Sequence, residues 1–323
     1  MEKLKNAKVL LAVLAVLLIG AAGYALKSHP GASEQEAGRE QPAAGETASV
    51  GGTAYPAPEA GNAAAGNAAG AIGREVKPVR PSAASGLSNE RRGWGLKRNS
   101  THQQPEMPSS VSSLLSKYDA YWIGSPGEKA VYLTFDEGYE NGYTAKILDI
   151  LKANEVKAAF FVTGHYLKSQ PALVRRMVEE GHIVGNHTET HPSLPDLSDG
   201  QIEQELRVVE QEFENVTGQK GMRYLRPPRG EYSERTLAVT RNLGYHNIFW
   251  SLALVDWVPM PGGPQEAYDS VMGNLHNGAL ILLHAVSKDN TEALDKILKD
   301  AKAQGYTFKT LDDLVAGGKG ASP

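Results

Sequence analysis

Between about Trp94 and Val315 the chain alternates short apolar runs with longer amphipathic ones, and this narrows the possible folds more than any other feature. The runs AVYLTF (130–135), AAFFVTG (158–164), HIVGNH (182–187), YLRPP (224–228), NIFWSLALV (247–255) and ALILLH (279–284) are bounded by Gly, Pro or charge, as buried strands are. Helical periodicity lies between them, over 143–153, 171–180, 201–216, 233–243, 265–276 and 290–304. Ser198 with Gln201 reads as a capping box before the third of these, and Pro171 suits a first helical turn. Such alternation predicts a parallel α/β architecture, and six or seven repeats in one domain favour a barrel over an open sheet.

The rest of the 323 residues divides by composition. Residues 1–26 carry Lys3, Lys5 and Lys8, then the apolar VLLAVLAVLLI of 9–19, then small residues at Gly23 and Ala25, which is the pattern of an export signal. The apolar stretch is close to the shortest that spans a bilayer, so an uncleaved N-terminal membrane anchor is the alternative. Residues 27–92 are Ala, Gly, Pro, Glu and Ser with almost nothing large and apolar, a composition that cannot offset its own ordering entropy and is expected to be a disordered linker. Residues 93–318 form the expected catalytic domain and 319–323 a tail. The expected location is therefore extracytoplasmic, membrane-anchored or secreted. The chain has no cysteine, which excludes a disulfide framework, a thiolate zinc site and a lipidated cysteine; any metal must be held by His and carboxylates. A net charge of -4, with basic pairs scattered at Arg91-Arg92, Lys97-Arg98 and Arg175-Arg176, leaves no footprint for nucleic acid. Oligomeric state has no signal in the sequence.

Each group with chemical potential stands at the C-terminal end of a predicted strand, the edge where barrel loops gather into active sites. The first strand ends in Asp136-Glu137-Gly138-Tyr139; two consecutive acids on a turn can face different targets, one a metal and one a substrate water, or can be a helix cap beside a solvated neighbour. After the third strand, His187 and His191 are spaced to meet one cation, and Pro192 puts them on a loop rather than a helix. Arg226-Pro227-Pro228-Arg229-Gly230 is either a rigid arginine mount or a stiff surface loop. Asp256-Trp257 and His284 end the last two strands; a carboxylate beside an imidazole would fix its tautomer and raise its pKa, as a general acid requires. Trp257 is expected in the pocket wall, whereas His165, His182, His246 and His276 lack such company and are expected at helix ends or in packing.

TFDEG, HTETH, RPPRG, VDW and LLH, in this order over residues from about 130 to 314, resemble the motifs of the polysaccharide deacetylase (NodB homology) family. The resemblance implies a distorted (β/α) barrel and metal-assisted hydrolysis of an amino-sugar acetamide. It implies Asp136 as base, His284 as acid, Arg226 orienting Asp136, Asp256 tuning His284, and a divalent metal, zinc by expectation, on His187, His191 and Glu137. The backbone amide of Arg229 would help stabilise the oxyanion, with Arg229, Trp257 and Tyr139 facing substrate. WGLKR, KYDAYWIG, FDEGYENGYT and HAVSKDNTEALD are similar to the branch of the family that de-N-acetylates muramic acid in spore cortex, which makes a peptidoglycan glycan strand the expected partner. Glu137 stands where the family carries an aspartate. Being one methylene longer, it binds metal, binds it differently, or leaves a two-histidine site. Arg229 stands where an aromatic is common, and its guanidinium is expected to pair with the lactyl carboxylate of muramic acid. The alternatives are a deacetylase of chitin-like N-acetylglucosamine chains and a wall-binding module without turnover.

Overall fold

In a computed structural model the described residues are Ala84, 86–97 and 101–317. The export signal or anchor expected in 1–26, most of the expected linker and the tail at 319–323 lie outside them. Contact with the domain begins before the boundary expected at residue 93: Ala84 is buried, Ser88 accepts a hydrogen bond from the Arg235 amide, and Arg92 exchanges two backbone bonds with Tyr232. Among the described residues no helix is long and apolar enough to cross a membrane.

Nine parallel strands carry the fold: β1 (Ala120–Tyr121), β2 (Ala130–Glu137), β3 (Ala159–Val162), β4 (Ile183–Asn186), β5 (Tyr224–Leu225), β6 (His246–Ile248), β7 (Leu252–Ala253), β8 (Ala279–His284) and β9 (Thr307–Lys309). Their order is β1-β6-β5-β4-β3-β2-β8-β7, with β9 on the first residues of β2. This is the expected distorted (β/α) barrel, because among the described residues no ladder joins β1 to β7. All six expected helices form, each with ends within about two residues of the sequence reading, and Ser198 and Gln201 make their capping box. Three short helices, Ser109–Lys117, Gly164–Ser169 and Leu311–Ala316, were not expected, nor were β1 and β9.

One expected strand divides. The run NIFWSLALV forms β6 beside β1 and β5 at one edge of the sheet and β7 beside β8 at the other, with Phe249–Ser251 crossing between the edges. YLRPP gives only the two residues of β5, since Pro227 and Pro228 have no N–H to add to a ladder.

Alternation along β2 positions the site. Val131, Leu133 and Phe135 point to the surrounding helices and join a core with Ile147, Leu148, Leu151 and Met177, where Phe135 stacks on Phe160 at 5.2 Å. Tyr132 points into the barrel with Phe161, Tyr224, Ile248 and Leu280, and Leu311 and Leu314 of the C-terminal helix pack on the same inner cluster. A period of two then sends Asp136 inward and Glu137 outward.

Candidate active site

Asp136 of β2 and His284 of β8 are register partners in adjacent parallel strands, at the C-terminal ends of both. Both face the barrel interior above Phe161 and Leu280. Arg226, at the end of β5, reaches across the interior and is among the largest fully buried side chains. Its Nη1 donates to Asp136 Oδ1 at 2.7 Å, Nη2 to Thr134 Oγ1 at 2.8 Å and Phe249 O at 3.3 Å, and Nε to Ile248 O at 3.2 Å. The guanidinium lies over the Phe161 ring, 4.2 Å from its centroid. Burial would raise the Asp136 carboxyl, but Arg226, then His187 and His284, outweigh it and hold the group below the ordinary carboxylate range. An ion pair of this kind keeps the carboxylate charged at neutral pH and fixes the direction of its free oxygen.

His187 Nδ1 lies 2.9 Å from the Arg226 carbonyl. A carbonyl only accepts, so Nδ1 carries the proton and Nε2 is left bare, buried, without a hydrogen-bond partner and 3.5 Å from Asp136 Oδ2. His191 lies edge-on to His187 with ring centroids 4.8 Å apart. Burial lowers the pKa of both imidazoles, that of His191 to about 3, and the neighbouring His187 adds to the effect there. Both are therefore neutral at physiological pH. The loop that carries them holds Thr188 at φ 67° and His191 at φ 58°, a region L-residues rarely occupy; the His191 amide donates to Thr188 Oγ1 and the Thr188 amide to Asn186 Oδ1.

His284 Nδ1 donates to Asp256 Oδ1 at 2.6 Å, its backbone amide donates to Asp256 Oδ2 at 2.8 Å, and Asn290 Nδ2 also bonds Asp256 Oδ2. Burial would lower the His284 pKa, yet the Asp256 charge and hydrogen bond prevail, with a smaller contribution from Asp136, and the imidazole titrates above its ordinary value. Trp257 stands edge-on to His284 at 5.1 Å. The arrangement can hold a proton on His284 while Asp136, close by, stays bare.

Glu137, expected as the third metal ligand, is not brought to the imidazoles. It faces outward, fully buried, with both carboxylate oxygens 3.4 Å from Thr144 Oγ1. Thr144 also bonds Glu140, and Tyr166 donates to Glu140. Burial, then the charge of Glu140, raises the Glu137 pKa well above normal. Among the described residues no group of three or more His, Asp or Glu side chains is placed to hold a metal ion. The bare Nε2 of His187 and the neutral ring of His191 fit a divalent cation as a pair of donors; a site completed by Glu137 does not fit.

Arg229 has φ 60°, between Pro228 and Gly230, and its Nε is buried without a hydrogen-bond partner. Tyr139 is partly exposed in the loop that follows β2. Sequence reading missed Thr134 and Asn290, which hold Arg226 and Asp256. Thr134 could have been found two residues before Asp136 on the same face of β2; Asn290, in the first turn of the helix after β8, left no signal.

Residues 123–248 match the family model described as Polysaccharide deacetylase. The chain is 50% identical to the peptidoglycan-N-acetylmuramic acid deacetylase PdaA of Bacillus subtilis, over 72% of this chain and 89% of PdaA. It is 55% identical to an uncharacterized 30.6 kDa protein of Geobacillus stearothermophilus, over 71% of this chain and 87% of that one. The structure of Bacillus subtilis PdaA, a family 4 carbohydrate esterase, superposes with a TM-score of 0.69 at 50% identity, covering 71% of this chain and 99% of that chain.

Proposed function

The chain belongs to the polysaccharide deacetylase family, and from that premise we propose that it hydrolyses the acetamide of N-acetylmuramic acid residues in peptidoglycan, releasing acetate and leaving a free amine. The observation that carries the reading is one buried constellation. Asp136 is held charged by Arg226, and its register partner His284 has its proton affinity raised by Asp256.

Asp136 takes the proton from the attacking water as it adds to the acetyl carbon. Arg226 occupies Oδ1, which leaves Oδ2 to face the water. His284 then gives its Nε2 proton to the departing amine, and Asp256 holds the Nδ1 proton so that the ring stays in the donating orientation. The oxyanion formed between these steps is assigned to the backbone amide of Arg229, in the strained turn after Pro228. A divalent cation, zinc by chemical preference, would be held by His187 and His191, where it would polarise the acetyl carbonyl and acidify water. Glu137 has no part in this mechanism.

The substrate class rests on the likeness to PdaA and on Arg229, whose guanidinium suits the lactyl carboxylate that distinguishes muramic acid from glucosamine. Trp257 and Tyr139 form the rest of the sugar-facing wall in this reading. Export or anchoring by residues 1–26, a tether through most of 27–92, action outside the cytoplasm and a role in spore cortex belong to the same proposal.

The test is incubation of the full chain with peptidoglycan, with and without its stem peptides, and with chitin oligomers, measuring acetate and identifying the modified sugar by mass spectrometry. De-N-acetylated muramic acid supports the proposal. Acetate from chitin oligomers alone would transfer the reading to N-acetylglucosamine chains, and none from any glycan with zinc or another divalent ion added would leave a wall-binding module.

A further inference from the structure

We infer that Trp94, which precedes all five motifs, is a positioning residue for the reaction: it clamps the Phe249–Trp250 crossing whose backbone holds Arg226, and Arg226 holds Asp136. This deepens the proposed function and rests on its assignment of Asp136 as the base.

Phe249–Ser251 lies outside the strands, between β6 and β7. The Ile248 and Phe249 carbonyls accept from Arg226, so an error in this crossing is passed directly to the guanidinium. Trp94 backs the same segment. Its ring stacks on Phe249 with centroids 4.3 Å apart and planes 18° from parallel, and its Nε1–H donates to the Trp250 carbonyl at 3.0 Å. Trp250 in turn has the Arg226 guanidinium 5.8 Å from its ring centroid. Of Ile248 and Phe249, whose carbonyls hold Arg226, Trp94 stacks on the second, and it bonds the residue that follows.

Trp94 also backs the other arm of the site. A Cβ built at Gly230, whose φ is 65°, would fall 2.6 Å from Trp94 Cβ and 2.9 Å from the Trp250 ring. The turn that presents Arg229 is therefore closed against Trp94 Cβ and the Trp250 ring, and only glycine fits. The segment just before Trp94 is secured to the chain just after Gly230: Arg92 pairs with Tyr232 through its backbone, and Asn89 Oδ1 accepts from Ser233 Oγ. A side chain only 3% exposed is commonly just core. What sets Trp94 apart is that both backbone segments it fixes end on atoms that hold or present reacting groups.

The experiment uses the full chain with Trp94→Ala, Trp94→Phe and, as a control of comparable burial at the opposite end of the barrel, Leu314→Ala. Two quantities are read: kcat and KM for acetate release, and the hydrogen exchange of the Arg226 Nε–H, followed by NMR and assigned by its loss in Arg226→Lys. Trp94→Ala is expected to lower kcat by about tenfold to a hundredfold with KM within about twofold, and to speed Arg226 exchange. Trp94→Phe, which keeps the stack and loses the N–H bond, is expected to fall between it and wild type. Leu314→Ala is expected to lower the melting temperature and leave both quantities unchanged. A folded Trp94→Ala with wild-type kcat and wild-type Arg226 protection overturns the inference, as does an equal loss in Leu314→Ala. If Trp94→Ala does not fold, Trp94→Phe decides, and Arg226 exchange at the wild-type rate in that variant counts against the clamp. Acetate release that survives in Asp136→Asn would instead remove the base assignment, with the exchange measurement still deciding whether Trp94 holds Arg226.

Discussion

Asp136 and Glu137 are consecutive carboxylates, both buried, yet the two faces of β2 make them different acids. On the inner face Asp136 meets Arg226 at 2.7 Å and is kept charged. On the outer face Glu137 meets Thr144 and the nearby Glu140, with no cation among its contacts, and its proton is held. The difference shows that a carboxylate's chemistry is decided by what the strand's period turns it toward, and that adjacency in sequence is no guide to shared function.

The sharpest way to break this comparison is to neutralise the inner acid. Asp136→Asn should lower kcat by about a hundredfold to ten-thousandfold, the range of a lost general base, while the protein stays folded. Acetate release and far-UV circular dichroism check both parts. Wild-type turnover in this variant would place the base elsewhere.

A smaller effect tests the proposed acid on the adjacent strand β8. Asp256 raises the His284 pKa, and as the proposed acid His284 must be protonated to donate, so activity should fall as pH rises through that raised value. Removing the charge in Asp256→Asn takes away the contribution that outweighs burial. The alkaline limb of the kcat profile should therefore shift to lower pH, with kcat at its optimum reduced about tenfold or more. An unmoved alkaline limb would show that another group supplies the proton.

Zinc affinity separates the two imidazoles from Glu137. Zinc binding measured by calorimetry should be lost in His187→Ala and His191→Ala and kept in Glu137→Gln, since the two imidazoles converge and Glu137 faces away. A fall of about tenfold or more in zinc affinity for Glu137→Gln would return that residue to the metal.

Much of this was legible in the sequence because hydrophobic period and turn chemistry are local. The six runs and six helices followed from periodicity, and Asp136, Arg226, Asp256 and His284 followed from lying at strand ends. What was hidden depended on contacts distant in the chain. β1 and β9 are two and three residues long, too short to show a period, and exist because β6 and β2 pair with them. The division of NIFWSLALV is set by which edge each half joins, which a continuous apolar run cannot reveal. Glu137 was drawn to the metal by the family motif, although the same alternation that put Asp136 inside could have turned it outward once β2 was known to extend through that residue. The contact of residues 88–92 with the Tyr232 region was concealed because a polar segment can be ordered by backbone bonds that leave no compositional trace.

The smallest expected effect concerns the outer carboxyl and stability alone. The folded-state pKa of Glu137 is raised, so its protonated form is the one the fold favours. Its contribution to stability is complete below the ordinary glutamate value and is lost as pH rises toward the raised one, because over that interval the unfolded chain ionises and the folded chain does not. Glutamine has the same shape, keeps an oxygen for Thr144 and does not ionise. Glu137→Gln should therefore match wild type in acid and gain on it steadily above the ordinary glutamate pKa, with a melting temperature a few degrees higher near neutrality. Thermal melts across that range, run beside turnover, separate the two faces of β2: a stability gain with unchanged kcat leaves Glu137 outside the chemistry, whereas a loss of stability at neutral pH would mean that its charge is paired in the folded protein after all.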